Sequence, residues 1–226
     1  MKKSVVLLLL FAAVIFWGCG RSDIESGNIC LRLGDYEMAE HFFSAALYRN
    51  PANYSARLGM GKALLQRAAV HRSESVSLWK RGLVHLEAAQ SINPAEDLRP
   101  LLSDVWYRRS SQLLGKGDTT GALAALTRSI EHDPENVQAL NSTGILYFRL
   151  GEHFRAKEIF KRALVIDTTY TALHFNLGMI SYQSGDMSTA HSYWLSALKS
   201  SPEDQDLMYW FAVAEREMRS EVRSEE

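Results

Sequence analysis

The chain has 226 residues, of which 46% are hydrophobic and 23% charged, and its formal net charge is −1. This composition is ordinary for a folded protein of one or two domains, and the balanced charge argues against a nucleic-acid binder that relies on bulk positive charge. Two cysteines are too few for a disulfide scaffold or a four-thiolate zinc site.

The N-terminus has the layout of an export signal. Two lysines precede an unbroken apolar run from Val5 to Trp17, and Gly18 then precedes Cys19. The run is shorter than the roughly 20 residues that a membrane-spanning helix needs. A charged start, a short apolar run and a small residue before the cut predict that residues 1–18 are a signal peptide.

The Gly18-Cys19 step resembles the lipobox of bacterial lipoproteins, in which the cysteine thiol receives a diacylglycerol and becomes the first mature residue. The resemblance implies lipid attachment at Cys19 and a periplasm-facing protein of the bacterial cell envelope. Gly20 stands where aspartate would signal inner-membrane retention, so the implied location is the outer membrane. Removal of the two signal-peptide lysines changes the net charge from −1 to −3. An uncleaved signal-anchor helix and ordinary secretion with an unmodified cysteine remain open.

The rest of the chain contains an internal repeat. Five equivalent steps recur, at Asn50-Pro51, Asn93-Pro94, Asp133-Pro134, Asp167-Thr168 and Ser201-Pro202. The successive spacings are 43, 40, 34 and 34 residues. Insertions around Ala69–Ser77 and Ala95–Leu101 account for the two longer spacings. A constant period of this size predicts a stack of identical supersecondary units.

Each unit predicts a pair of antiparallel helices. Small residues such as Gly144 and Gly178 recur where two helices would cross closely, and large apolar residues such as Phe160 and Trp194 recur at helical spacing. A glycine is expected to end the first helix of four pairs, at Gly34, Gly117, Gly151 and Gly185. We therefore expect eleven helices and no strand.

These units resemble the tetratricopeptide repeat family over residues 20–202. The resemblance implies an all-α fold, in which residues 19–202 form an α-solenoid of five helix pairs. The units are 20–53, 54–96, 97–136, 137–170 and 171–204, followed by a capping helix at 205–219 and a frayed tail at 220–226.

No catalytic motif is present in the sequence. None of the seven histidines stands three or four residues from another, and there is no HExxH, GxxxxGK[ST], GxSxG or GxGxxG pattern. We therefore expect a protein that is not an enzyme, needs no cofactor or metal, and does not bind nucleic acid.

The family resemblance implies that the first helices of the pairs line a groove for an extended peptide or a partner helix. The groove positions are Asn28, Arg32, Lys62, Gln66, Tyr107, Ser111, Asn141, Ile145, Phe148, Arg149, Phe175, Met179, Tyr182, Tyr209 and Val213. Ile24, Gly59 and Asp104 replace the clamp with which other members bind a C-terminal carboxylate, so that mode is not expected. The alternative for each side chain is that it packs against a neighbouring helix.

The implied function is a non-enzymatic, membrane-tethered adaptor whose groove binds protein partners of the cell envelope. The alternative is a small-molecule-binding accessory subunit of an envelope transporter, and a hydrolase is a third possibility.

Overall fold

A computed structural model of the chain describes residues 22–70 and 75–225. The predicted signal peptide and the predicted lipid attachment at Cys19 lie outside these residues. Contacts divide the chain into two compact units that meet between Leu98 and Arg99. This division is close to the predicted boundary between the second and third repeats, at 96/97.

The described residues form eleven helices and no strand, as the sequence predicts. The first unit contains α1 (Asp23–Leu33), α2 (Tyr36–Arg49), α3 (Tyr54–Val70) and α4 (Ser75–Ile92). The second contains α5 (Arg99–Leu114), α6 (Thr119–His132), α7 (Val137–Arg149), α8 (His153–Ile166), α9 (Thr171–Gln183), α10 (Met187–Ser200) and α11 (Gln205–Glu225). Within each unit every helix packs on the next. The predicted all-α fold, built as a solenoid of helix pairs, is confirmed.

Close crossings between helices depend on glycines that lie under large side chains. Phe43 of α2, which is fully buried, lies against both Gly27 of α1 and Gly59 of α3. In the second unit, Gly144 lies under the ring of Phe160, and Gly178 lies under Trp194. A Cβ atom at any of these four glycines would come within 3 Å of the ring. The crossings therefore require residues without a side chain.

The ends of the helices follow the predicted signals. Gly34, Gly117, Gly151 and Gly185 have φ between 78° and 80°, the left-handed conformation that lets the chain reverse after the first helix. The second helices end in extended backbone at Asn50, Asp133 and Asp167. Asp167 does this without a following proline, because its Oδ1 accepts hydrogen bonds from the backbone N–H of Thr169 at 2.9 Å and from its hydroxyl at 2.8 Å. These bonds lower the pKa of Asp167.

A network of charged side chains joins α2, α3 and α4 in the first unit. Glu40 forms ion pairs with Arg67, at 2.6 Å, and with Arg81. Nearby, the Nη1 atom of Arg57 lies 3.3 Å from Nδ1 of His85. Arginine can only donate, so Nδ1 accepts this bond and the imidazole is neutral. Burial first, and then the charges of Arg57 and Arg81, lower the pKa of His85 against the opposing effect of Glu40.

The last helix is longer than the sequence predicts. We expected α11 to end at Arg219 and residues 220–226 to fray, but the helix continues to Glu225. The extension contains no glycine or proline that would end a helix. An ion pair between Glu215 and Arg219, one turn apart, supports the helix just before it.

We expect Gly178→Ala to lower the free energy of unfolding by about 1–2 kcal/mol, because overpacking against Trp194 outweighs the gain in helix propensity. Gly115→Ala is the matched control, since a Cβ atom there would lie no closer than 3.6 Å to its neighbours. Urea denaturation of both variants measures the difference. Equal midpoints would show that the crossing tolerates a side chain.

We also expect the stability of the protein to depend on pH through His85. A lowered pKa in the folded state means that the unfolded state binds more protons as the pH falls through its ordinary value of about 6.5. The contribution of neutral His85 is therefore fully present above that pH and is lost below it. Unfolding measured between about pH 5 and 8 should show a shallower loss for His85→Gln than for the natural chain. Parallel profiles would contradict the assignment.

Candidate peptide-binding surface

The predicted groove residues of the first unit are exposed and partly basic. Asn28 and Arg32 lie one turn apart on α1, and Lys62 and Gln66 lie one turn apart on α3. All four are exposed, and α1 and α3 are in contact. Two amide or polar side chains and two cations on adjacent helices suit acidic or polar groups of a partner.

An asparagine pair joins two first helices of the second unit. The Nδ2 atom of Asn176 on α9 donates to Oδ1 of Asn141 on α7 at 3.0 Å. Asn141 is only 8% exposed. Each amide has two donor hydrogens and an acceptor oxygen, so the pair retains capacity for peptide N–H and C=O groups. Asn176 was missed in the sequence analysis, although it directly follows the predicted groove residue Phe175.

The predicted aromatic end of the groove packs against the last helix. Phe175, Met179 and Tyr182 pack on a buried cluster that includes Trp194. The ring of Tyr182 lies 5.4 Å from that of Trp210 on α11, in edge-to-face geometry. Its hydroxyl donates to Oε1 of Glu217 at 3.3 Å. Partial desolvation and the charge of Glu217 raise the pKa of Tyr182.

The remaining predicted residues of the second unit are also largely engaged in packing. Ile145 and Phe148 pack on the cluster formed by α7, α8 and α9, and the Phe148 ring meets His153 at 5.2 Å. Tyr107 packs on the cluster around Leu126. Arg149 is exposed. Among the added positions, Ser111 and Tyr209 are exposed and Val213 is half-buried.

The structure thus divides the predicted groove residues into two classes. The polar and charged side chains, apart from Asn141, are exposed and available, whereas the apolar ones are half-buried parts of the core. The packing alternative therefore applies to the apolar residues without removing their outer edges from the surface. Binding of a partner at these positions stays a prediction.

Other features of the described residues offer little for chemistry. In the parts of the chain that the structure describes, no three histidine, cysteine or acidic side chains are grouped as a metal would require. A shallow cavity of about 330 Å³ lies beside Phe175 and Asp206. Burial, and then the charge of Asp35, raise the pKa of the Cys30 thiol, which makes it a poor nucleophile. None of the described helices is both long enough and apolar enough to span a bilayer.

Comparison with known proteins identifies the repeat. Tetratricopeptide repeat family profiles match residues 107–170 and residues 24–53. The solved structure of YrrB, described as a TPR protein with an unusual peptide-binding site, is 17% identical, with a TM-score of 0.52, and covers 88% of this chain and 96% of its own. The first TPR domain of Spaghetti (RPAP3), bound to an HSP90 peptide, is 16% identical, with a TM-score of 0.51, and covers 53% of this chain and 95% of its own. These similarities show the fold.

A curated relative is similar over part of its length. Human tetratricopeptide repeat protein 6 is 24% identical over 207 residues. The match covers 77% of this chain but only 38% of that protein. The chain therefore spans well under half of this relative, whose whole activity does not transfer to it.

The packing of Tyr182 predicts different effects for two substitutions. Tyr182→Ala removes a ring that contacts Trp194 and Trp210, and we expect it to lower the free energy of unfolding by about 2–3 kcal/mol. Tyr182→Phe keeps the ring and loses only the bond to Glu217, so we expect a loss below about 1 kcal/mol. Chemical denaturation separates the two variants. If Tyr182→Ala is as stable as the natural chain, the ring does not belong to the core.

Proposed function

This chain is a tetratricopeptide repeat protein, and we propose that it is a non-enzymatic adaptor that binds protein partners of the bacterial cell envelope. We further propose that a lipid on Cys19 tethers it to the membrane, facing the periplasm, with the outer membrane as its location. The partner would bind to the first helices of the repeats as an extended peptide or an amphipathic helix.

The Asn141–Asn176 pair is the observation that carries the proposal of peptide binding. It places two amides on adjacent first helices, within hydrogen-bonding distance of each other and at positions that the repeat directs toward the groove. Half-buried Ile145 and Met179 lie one turn from this pair on the same two helices. Amides beside apolar edges can bind both the backbone and the side chains of a peptide. The peptide-bound and peptide-binding relatives support this proposal by analogy.

The residues at the clamp positions favour an internal peptide or a helix over a free C-terminus. Gly59 lies beneath Phe43 and presents no side chain. Asp104 pairs with Arg108 at 2.9 Å and would repel a carboxylate. Ile24 is apolar and half-buried. A terminal carboxylate would find none of its expected donors at these positions.

The proposed tether rests on the sequence of residues 1–20. An acyl chain contributes about 0.8 kcal/mol per buried CH₂ group, and more than one chain is needed for stable attachment. A diacylglycerol on Cys19 would meet this requirement. The first helix begins at Asp23, so the repeats would start within a few residues of the membrane.

Site-specific crosslinking in the native membrane tests the adaptor proposal. A photoreactive amino acid at exposed Arg149 should crosslink to a defined partner, which mass spectrometry then identifies. The same group at Val165, which is 83% exposed on the second helix α8, is the matched control and should not capture that partner. Equal capture at both positions, or none at Arg149, would contradict the proposed surface.

Charge reversal tests the basic part of the surface. We expect Arg32→Glu with Lys62→Glu to reduce recovery of the crosslinked partner by about tenfold or more, since interface hot spots often include charged anchors. Lys80→Glu with Lys161→Glu makes the same change in charge at exposed positions on second helices and should have no effect. If both double variants behave alike, general charge rather than the groove governs binding.

The tether has its own test. Cys19→Ser should abolish incorporation of labelled palmitate and release the protein from the membrane fraction. Continued labelling would exclude lipid attachment at Cys19. Loss of the label with retention in the membrane would support the signal-anchor alternative instead.

A further inference from the structure

The last helix has the register of the first helix of another pair. Gly144, Gly178 and Ala212 follow one another at intervals of 34 residues, on α7, α9 and α11. Phe160 covers the first of these positions, and Trp194 covers the second. Each ring comes from the second helix of the same pair, 16 residues further along the chain. Among the described residues, no side chain stands in this place for Ala212.

The face of α11 that would meet such a helix is open. Met208 is 52% exposed and Tyr209 is 62% exposed, and Ala212 is exposed between the turns. The side chain of Glu215 is 42% exposed, whereas Ser181, its equivalent on α9, is 1% exposed. A shallow space of about 390 Å³ lies along this face, beside Ala212, Glu215, Arg216 and Arg219. Continuation of the established helix packing would fill it.

The chain itself shows what kind of helix fits. Second helices carry a small residue, a large ring four residues later, and a small residue three after that. This pattern is Ala156, Phe160 and Ala163 on α8, and Ala190, Trp194 and Ala197 on α10. All six are at most 1% exposed. An amphipathic helix with this pattern would place its large side chain over Ala212.

Charge on α11 defines the orientation and the flanking residues of this helix. Arg216 and Arg219 lie toward the C-terminal end of the open face. Glu215 is already close to Arg219, at 3.8 Å, and to His191, at 3.9 Å. A helix that runs antiparallel to α11 brings its first turn to the two arginines. Acidic residues are favoured in the first turn of a helix, so they would complement this end.

We propose that the open face of α11 binds an amphipathic helix of a partner protein, which docks antiparallel as the second helix of a further pair. The helix has an acidic first turn and a leucine or an aromatic residue over Ala212. This surface differs from the Asn141–Asn176 face and does not depend on it.

The test measures binding of a labelled peptide to the full chain. The probe is a fluorescein-labelled synthetic peptide with the sequence of residues 186–201, made with either tryptophan or leucine at position 194. We expect saturable binding to the natural chain, weakened by about tenfold or more by Ala212→Arg. Ala124→Arg, at an exposed alanine of α6, is the matched control and should leave binding unchanged.

A second variant tests the geometry of the contact. Ala212→Gly recreates the position that accepts Trp194 at Gly178, so it should strengthen binding of the tryptophan peptide more than that of the leucine peptide. No saturable binding of either peptide, or binding that is insensitive to Ala212→Arg, would overturn the proposal. Sedimentation of the same samples tests a second copy as the occupant. A dimer that Ala212→Arg converts to monomer would replace the partner helix with self-association.

Discussion

The contact between one large side chain and one absent side chain determines how each helix pair closes. Phe43, Phe160 and Trp194 fill the space above glycines on the facing helix, and each is at most 1% exposed. Because the ring and the glycine occupy fixed positions in the repeat, the same crossing recurs along the chain. The glycines after the first helices then only have to reverse the chain, which their left-handed backbone allows. Stability therefore comes from repeated local contacts rather than from one central core.

This construction limits what the binding surface can contain. Tyr182 contacts Trp194, which fills the crossing at Gly178, so a residue assigned to the groove also supports the core. The apolar groove residues consequently offer edges rather than whole side chains to a partner. The exposed polar residues and the Asn141–Asn176 amides carry more of the specificity, because their hydrogen-bonding groups do not have to separate from the core. A partner that matches polar groups first and apolar edges second suits this surface.

Features that repeat with the period could be predicted from the sequence, and features that arise once could not. Gly178, Gly185 and their equivalents announce the pairs, so the number of helices and their turns follow from spacing. The network of Glu40, Arg67 and Arg81 joins residues up to 41 positions apart on three helices, and no period relates them. The burial of Phe175 depends on the way α11 packs, which the repeat pattern alone does not specify. The length of α11 was underestimated because charge was read as fraying where no helix breaker is present.

A stack of repeats has an end at which the last helix lacks the neighbour that every earlier helix has. A polar outer face solves this problem by solvation, and α11 does so only in part. Its inner face, with Leu207 and Ala214, is buried, and its outer face is charged near Arg216 and Arg219. Between these regions Met208 and Ala212 keep the pattern of a first helix that expects a second. A face that were only a cap would gain solubility from charge at these two positions. Their apolar character is instead what a further helix would need, and this links the repeat register directly to a second binding surface.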